Sequence, residues 1–284
     1  MSLVVNNNLM ANSAARHLND SYSALSSSTE KLSSGLRVNS ASDDAAGLAV
    51  RELMRSDVST LGQGVRNAND GISMIQTADG ALSVIDEKLI RMKELAEQAA
   101  TGTYTDEQRA LIDDEYQAMA SEITRIASAT DFNGIYLLNG NLSGDGLTVH
   151  FGTGNDEAED KYTIQISDCS AAALGVGNAS TLDDGYTVST QAAAEASLAA
   201  LDSAIVSKDK VRANLGAMEN RLSATISNLE IQAENLQAAE SRISDVDVAT
   251  EMTEYSKQQI ITQAATSMLS QANSLPQMAL SLIG

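Results

Sequence analysis

The sequence predicts a mainly α chain: a long antiparallel helical bundle or coiled coil formed by both chain ends, with a small β-hairpin region at the distal part. Three observations carry this reading. Leu215, Leu222, Leu229, Leu236 and Ile243 recur at every seventh residue, with Met218, Ile226, Ala233 and Val246 on the alternate steps. Similar ladders, stepping by four and three, open and close the chain. Between them, over residues 147–166, the apolar period falls from about 3.6 to about two. A helix with one apolar seam and polar flanks such as Glu219, Arg221, Glu230 and Glu234 cannot bury that seam alone. It needs partner helices.

Taken in order, the first ladder runs through Val4, Asn8, Ala11, Ala15, Leu18, Tyr22, Leu25, Thr29, Leu32 and Leu36. Its early part is weak, because Asn6, Asn7, Asn8 and Asn12 are poor helix formers and alanine buries little area. Gly35 and Asn39–Asp44 interrupt it, and Ser42, Asp43 and Asp44 suit the start of a new helix. That helix continues through Leu48, Leu53, Leu61, Ile72, Ile75, Leu82, Ile85, Leu89 and Met92 to Ala99. Gly62, Gly64, Gly71 and Gly80 each cost roughly 1 kcal/mol relative to alanine. Close backbone packing would explain them, and a break near Gly62–Gly64 is the alternative.

Thr105 followed by Gln108 resembles a capping box, and Ile112, Tyr116, Met119, Ile123 and Ile126 then mark a third amphipathic helix. Asn133-Gly134 is a turn signal. Leu147, Val149 and Phe151, then Tyr162, Ile164 and Ile166, alternate with polar residues around an acidic loop, which reads as a β-hairpin. Cys169–Thr190 reads as irregular, and a helical pattern resumes at Gln191. The final ladder is Ile261, Ala265, Met268, Ala272, Leu275, Ala279 and Leu282, with the lone proline, Pro276, as a kink.

Composition narrows the function. Aromatic residues are 3% of the 284, tryptophan is absent, and the net charge is −20. Few aromatics disfavour a deep apolar pocket. The negative charge disfavours nucleic acid and anionic membrane, both of which select basic patches. A single cysteine excludes an internal disulfide. No basic-then-apolar leader opens the chain and no run reaches the roughly 18 apolar residues of a membrane span, which alone would suggest the cytoplasm.

Six stretches then point to a family. Asn6–Ala15 (NNNLMANSAA), Leu32–Gly47 (LSSGLRVNSASDDAAG), Asn67–Ala81 (NANDGISMIQTADGA), Phe132–Leu138 (FNGIYLL), Leu215–Leu222 (LGAMENRL) and Ser241–Glu254 (SRISDVDVATEMTE) closely resemble bacterial flagellin. The resemblance implies a structural subunit of the extracellular flagellar filament, self-assembling into a helical tube for swimming motility. Such subunits are exported without a cleaved signal peptide, which reverses the cytoplasmic expectation. It also implies an inner-tube polymerisation domain from residues 1–42 with 246–284, and a helical rod domain from 43–138 with 191–245. Residues 139–190 would be a hairpin and irregular segment of the rod, with no large outer domain.

The same resemblance assigns roles. The polymerisation seam is Ala11, Leu18, Tyr22, Leu25, Leu32, Leu36, Ile261, Met268 and Leu275. The rod core is Ile75, Leu82, Ile85, Leu89, Ile112, Ile123, Leu215, Leu222, Leu229, Leu236 and Ile243. Asn39, Ser42, Asp43 and Asp44 fall in the connector between tube and rod. Arg91, Leu95 and Glu115 stand where some members contact an animal Toll-like receptor, although Ile90 replaces the usual glutamine. For Arg91 and Glu115 we favour the plainer reading of a solvated rod face. Implied partners are other copies of the chain, an export chaperone, and the cap and junction proteins of the flagellum.

Physical chemistry makes such assembly intelligible. Seams of Ala, Ser, Asn and Gln bury little apolar area at about 25 cal/mol per Å², against roughly 1–2 kcal/mol of backbone entropy per residue. One pair of such helices is near break-even, and many neighbours change the sign. Residues 1 to about 40 and about 246 to 284 are therefore expected to order only in the polymer.

Other candidate sites are weaker. His17 and His150 lack ligand spacing, and Asp156–Asp160 lacks the EF-hand order of ligands, so no metal site is expected. Gly152-Thr-Gly154 lacks the remainder of a dinucleotide motif, so no cofactor is expected. Cys169 reads as a small buried residue and no nucleophile has a base beside it, so no catalytic residue is assigned. Exposed Ser or Thr around Asn178–Thr190 are candidate glycosylation positions. The alternative readings are a hook–filament junction protein, a hydrolase carried on an insert, and a coiled-coil adhesin of few chains.

Overall fold

The computed structural model describes residues 8–177 and 187–283, the side chains of 275–277 and 279–283 excepted. Leu275 of the expected seam therefore lies outside the described side chains, as does most of the candidate glycosylation segment. The chain divides into two compact units, residues 1–58 with 234–284, and residues 59–233.

In the first unit, α1 (Leu9–Ser34) and α5 (Val248–Ile283) pack antiparallel. At one end Asn8 caps α1 by accepting the Ala11 N–H, while its own amide donates to the Ala272 carbonyl at 2.8 Å. At the other end Leu36 and Asp245 form an isolated antiparallel bridge. Gly35 ends α1 in the left-handed conformation, φ 75°, which costs glycine nothing. The α5 helix continues past the position of Pro276 without ending there.

The second unit is built on α2 (Ala45–Ala100), α3 (Asp106–Ala129) and α4 (Gln191–Ser244), of which α2 and α4 also contribute their outer portions to the first unit. One core gathers Ile75, Leu82, Ile85 and Leu89 of α2, Tyr116 and Ile123 of α3, and Leu201, Leu215 and Leu222 of α4. Polar pairs beside it show that α2 and α4 run antiparallel: Gln76 meets Glu219, Asp79 meets Arg212, Asp86 meets Lys208, and Lys93 meets Asp202. The capping box at Thr105 is present, with Thr105 Oγ1 accepting the Gln108 N–H and Gln108 Oε1 accepting the Thr105 N–H.

Helix α2 is unbroken over its 56 residues, so the alternative of a break near Gly62–Gly64 does not hold. The physical reason is close approach. A Cβ at Gly64 would collide with the Phe151 carbonyl, and one at Gly71 would stand 3.2 Å from Val149 Cγ2. These two glycines seat the hairpin of β3 (Leu147–His150) and β4 (Lys161–Ile164), in which Leu147 lies opposite Ile164 and His150 opposite Lys161. The hairpin was expected to reach Phe151 and Ile166; both continue the strands only as irregular buried residues. A second, shorter hairpin, β1 (Asp131–Phe132) with β2 (Ile135–Tyr136), forms around Asn133 and Gly134. Both turn residues have positive φ, 53° and 80°, as the tight turn requires.

Candidate functional site

The residues expected to form the connector lie in a hydrogen-bonded knot within the first unit. Asp43 Oδ2 accepts the backbone N–H groups of Asn39 at 3.2 Å and Ser40 at 3.0 Å, and the Ser40 hydroxyl at 3.1 Å. These bonds stabilise the carboxylate and hold the Asp43 pKa below its ordinary value, the Ser40 N–H being the largest cause. The Ser42 hydroxyl lies 2.6 Å from that of Ser40, and Asp44 accepts the Gly47 N–H at the start of α2. Asn39 donates to Ser34 Oγ at 2.8 Å. Arg37 donates its backbone N–H to Ser244 O and its guanidinium to Ile243 O, both at 2.6 Å, and Arg51 donates to Val38 O at 2.8 Å. The structure thus brings Asn39 and Asp43 together, sets Ser42 beside Ser40 and Asp44 at the start of α2, and ties their neighbour Arg37 to the end of α4.

The terminal helices meet on small and polar residues. Ser21 and Ser28 of α1, with Thr262 and Ala272 of α5, are buried; Ala11, Leu18, Leu25, Leu32 and Leu36 are half-buried. Tyr22, Ile261 and Met268, expected in the same seam, are exposed on the outer faces together with Leu9 and Ile260. No side chain charge occurs within Met1–Ala15 or Gln258–Gly284.

In the second unit, Ile75, Leu82, Ile85, Leu89, Ile123, Leu215, Leu222 and Leu229 are buried and Ile112 is half-buried. Leu236 and Ile243, which belong to the first unit, are half-buried. Arg91 donates from Nε and Nη2 to Glu115 Oε1 at 3.0 and 2.9 Å, and from Nη1 to Glu94 Oε2 at 2.9 Å. Those two carboxylates raise the Arg91 pKa, Glu94 first. Leu95 is buried in the core, so of the expected receptor-contact residues only Arg91 and Glu115 reach the surface.

The remaining candidates take structural places. Asp160 turns back to accept the Asp156 N–H at 2.8 Å, and an added Cβ at Gly154 would stand 2.7 Å from Asp160 Oδ2. The glycines of Gly152-Thr-Gly154 therefore make room for that carboxylate. Cys169 is buried and its thiol pKa is pushed up to about 11 by desolvation, with Asp168 adding to the effect. Among the described residues no group of three or more His, Cys, Asp and Glu is placed to hold a metal ion. A cleft of about 570 Å³ lies between the β3–β4 hairpin and α4, lined by Phe151, Tyr162, Arg221 and Asn228. Its wall is tied together by ring contacts: Phe151 and Tyr162 are 4.7 Å apart, and the Arg221 guanidinium sits 4.3 Å over the Tyr162 ring.

Comparison with known proteins agrees with these two helical ends. The N-terminal helical region of bacterial flagellin matches residues 5–143, and the C-terminal helical region matches residues 198–283. The flagellar filament 33 kDa core protein of Treponema phagedenis is 41% identical over 99% of this chain and 100% of its own length. A flagellin of Halalkalibacterium halodurans is 40% identical over the same shares of both chains. The crystal structure of Bacillus cereus flagellin, 32% identical, covers 62% of this chain and 94% of that one with a TM-score of 0.48. With both helical regions matched in order and full-length relatives at this identity, the chain belongs to the bacterial flagellin family.

Proposed function

We infer that this chain is a structural subunit of the bacterial flagellar filament, assembling with copies of itself. The observation that carries the reading is the division of labour on the terminal helices. Their pairing buries Ser21, Ser28, Thr262 and Ala272 and half-buries Leu18, Leu25 and Leu32, while Leu9, Tyr22, Ile260 and Met268 stay exposed on uncharged or sparsely charged helix faces. Exposed apolar stripes on a helix pair are interaction surfaces, and copies of the same pair can cover them. Full-length relatives named as flagellins and filament core proteins support the same conclusion.

The finer assignment follows from it. Residues 1–42 with 246–284 form the inner tube, 43–138 with 191–245 form the rod, and Asn39, Ser42, Asp43 and Asp44 set the geometry between them. The ends are marginal as a lone pair and gain their order from neighbouring copies. The role is mechanical rather than catalytic, and the chain acts at the cell exterior in the filament. A chaperone, cap and junction proteins attend export and assembly. The Arg91–Glu115 face is a solvated surface; a Toll-like receptor contact there would have to do without the Leu95 side chain. No observation favours the junction-protein reading.

The test is electron microscopy of the purified full chain after seeding. Long helical filaments are expected, and removal of both terminal segments abolishes them. A truncated chain that still grows into filaments overturns the reading.

A further inference from the structure

The methionines among the described residues are partitioned by exposure. Met74 and Met92 sit in the core of the second unit at 1% and 0% exposure, and Met54, Met119 and Met218 are half-buried. Among the described residues the exposed ones are Met10 on α1 and Met252, Met268 and Met278 on α5, between 48% and 61% exposed. All four belong to the terminal helices and stay exposed when α1 and α5 pair. Each of these side chains is partly open to solvent in the single chain, and the proposed polymer would bury them.

We infer that Met10, Met252, Met268 and Met278 form an oxidant-sensitive set that stops an oxidised chain from joining the polymer. This inference rests on the self-assembly reading above. The reaction is oxygen transfer from a peroxide: the O–O bond breaks, an S=O bond forms at the thioether sulfur, sulfur loses two electrons, and hydrogen peroxide leaves as water. The product is a polar, chiral sulfoxide where a flexible apolar side chain stood. A sulfoxide on a surface that must be desolvated leaves a strong acceptor unpaired. Once the chain is assembled the same thioethers are covered, so the sensitive species is the free subunit.

Hydrogen peroxide on the purified full chain, followed by peptide mass spectrometry and sedimentation, tests this. Oxygen is expected at these four methionines before Met74 and Met92, with slower uptake in preformed filaments. The critical concentration for assembly should rise roughly tenfold or more. Methionine sulfoxide reductases acting on both epimers should restore it. The quadruple variant Met10→Leu, Met252→Leu, Met268→Leu and Met278→Leu should assemble in peroxide as it does without. A fully oxidised chain that assembles at the untreated critical concentration overturns the inference, as does a leucine variant equally blocked by peroxide. If the leucine variant itself fails to assemble, the reductase decides: recovery supports the inference, and no recovery refutes it. An untreated chain that never polymerises removes the filament reading and this inference together, whereas untreated assembly with indifferent oxidised chains removes only this one.

Discussion

Lys208 on α4 places its Nζ 2.5 Å from Asp86 Oδ1 on α2 while its side chain is only 2% exposed. Asp209 supplies a second carboxylate at 2.7 Å. A buried ammonium is tolerated because both acids reach it; taking either charge out of water alone would be costly. The pair also favours one alignment of α2 and α4, since a slip by one turn would take Asp86 away from Lys208 and leave Asp209 as its one carboxylate.

Asp86→Asn should destabilise the second unit by about 1–3 kcal/mol, because Asp209 retains part of the compensation. Lys208→Met, which removes the charge and keeps the packing volume, should change stability by less than about 1.5 kcal/mol. Urea unfolding of the two variants compares them directly. Equal and large losses would show that the charge itself, rather than its abandonment, matters.

Two glycines of α2 separate close approach from mere tolerance. At Gly64 a methyl group meets the Phe151 carbonyl, which is backbone and cannot step aside, so Gly64→Ala should cost roughly 1–3 kcal/mol and loosen the β3–β4 hairpin. At Gly80 an added Cβ meets nothing within 4 Å. Gly80→Ala should therefore stabilise by up to about 1 kcal/mol through helix propensity. Thermal unfolding followed by circular dichroism reads both signs.

The connector should respond to acid. Asp43 has a folded-state pKa below its ordinary 3.8, so its stabilisation is fully present above that value and is lost as pH falls past it through the lower folded value. Amide exchange of Asn39 and Ser40 should quicken in that window, and Asp43→Asn should show the faster exchange already at neutral pH. Exchange that stays unchanged in both cases would mean the knot is held by Arg37 and Arg51 alone.

Cys169 should be inert at neutral pH. Its thiol is buried and its pKa pushed up to about 11, and the thiolate is the reactive form. Aromatic disulfide reagents should label the folded chain far more slowly than the urea-unfolded one. Rapid labelling of the folded chain would show that this region opens readily.

Much of this fold can be read from local pattern. The Thr105–Gln108 box starts α3, alternation around an acidic loop makes the β3–β4 hairpin, and the sevenfold repeat of Leu215, Leu222 and Leu229 lies buried in the second unit. Each depends on neighbours within a few residues, where backbone geometry alone sets the period. Asn133-Gly134 marks a turn in the same way, but strands of two residues each are too short to leave an alternating pattern.

The face on which α1 meets α5 was a different matter. Both helices carry large apolar residues on more than one side, and periodicity assigns Tyr22, Ile261 and Met268 to the seam as readily as their neighbours. A helix cannot turn two stripes toward one partner, and small side chains let two backbones come closest. Packing therefore turned Ser21, Ser28, Thr262 and Ala272 inward, left Leu18, Leu25, Leu32 and Leu36 half-buried, and kept Tyr22, Ile261 and Met268 outside. Sequence alone determined that these ends are helices without side-chain charge over Met1–Ala15 and Gln258–Gly284, with apolar residues on more than one side. Which side of each they spend on one another, and which remains for other copies, only the three-dimensional contact decided, because that choice depends on shape across the pair rather than order along the chain.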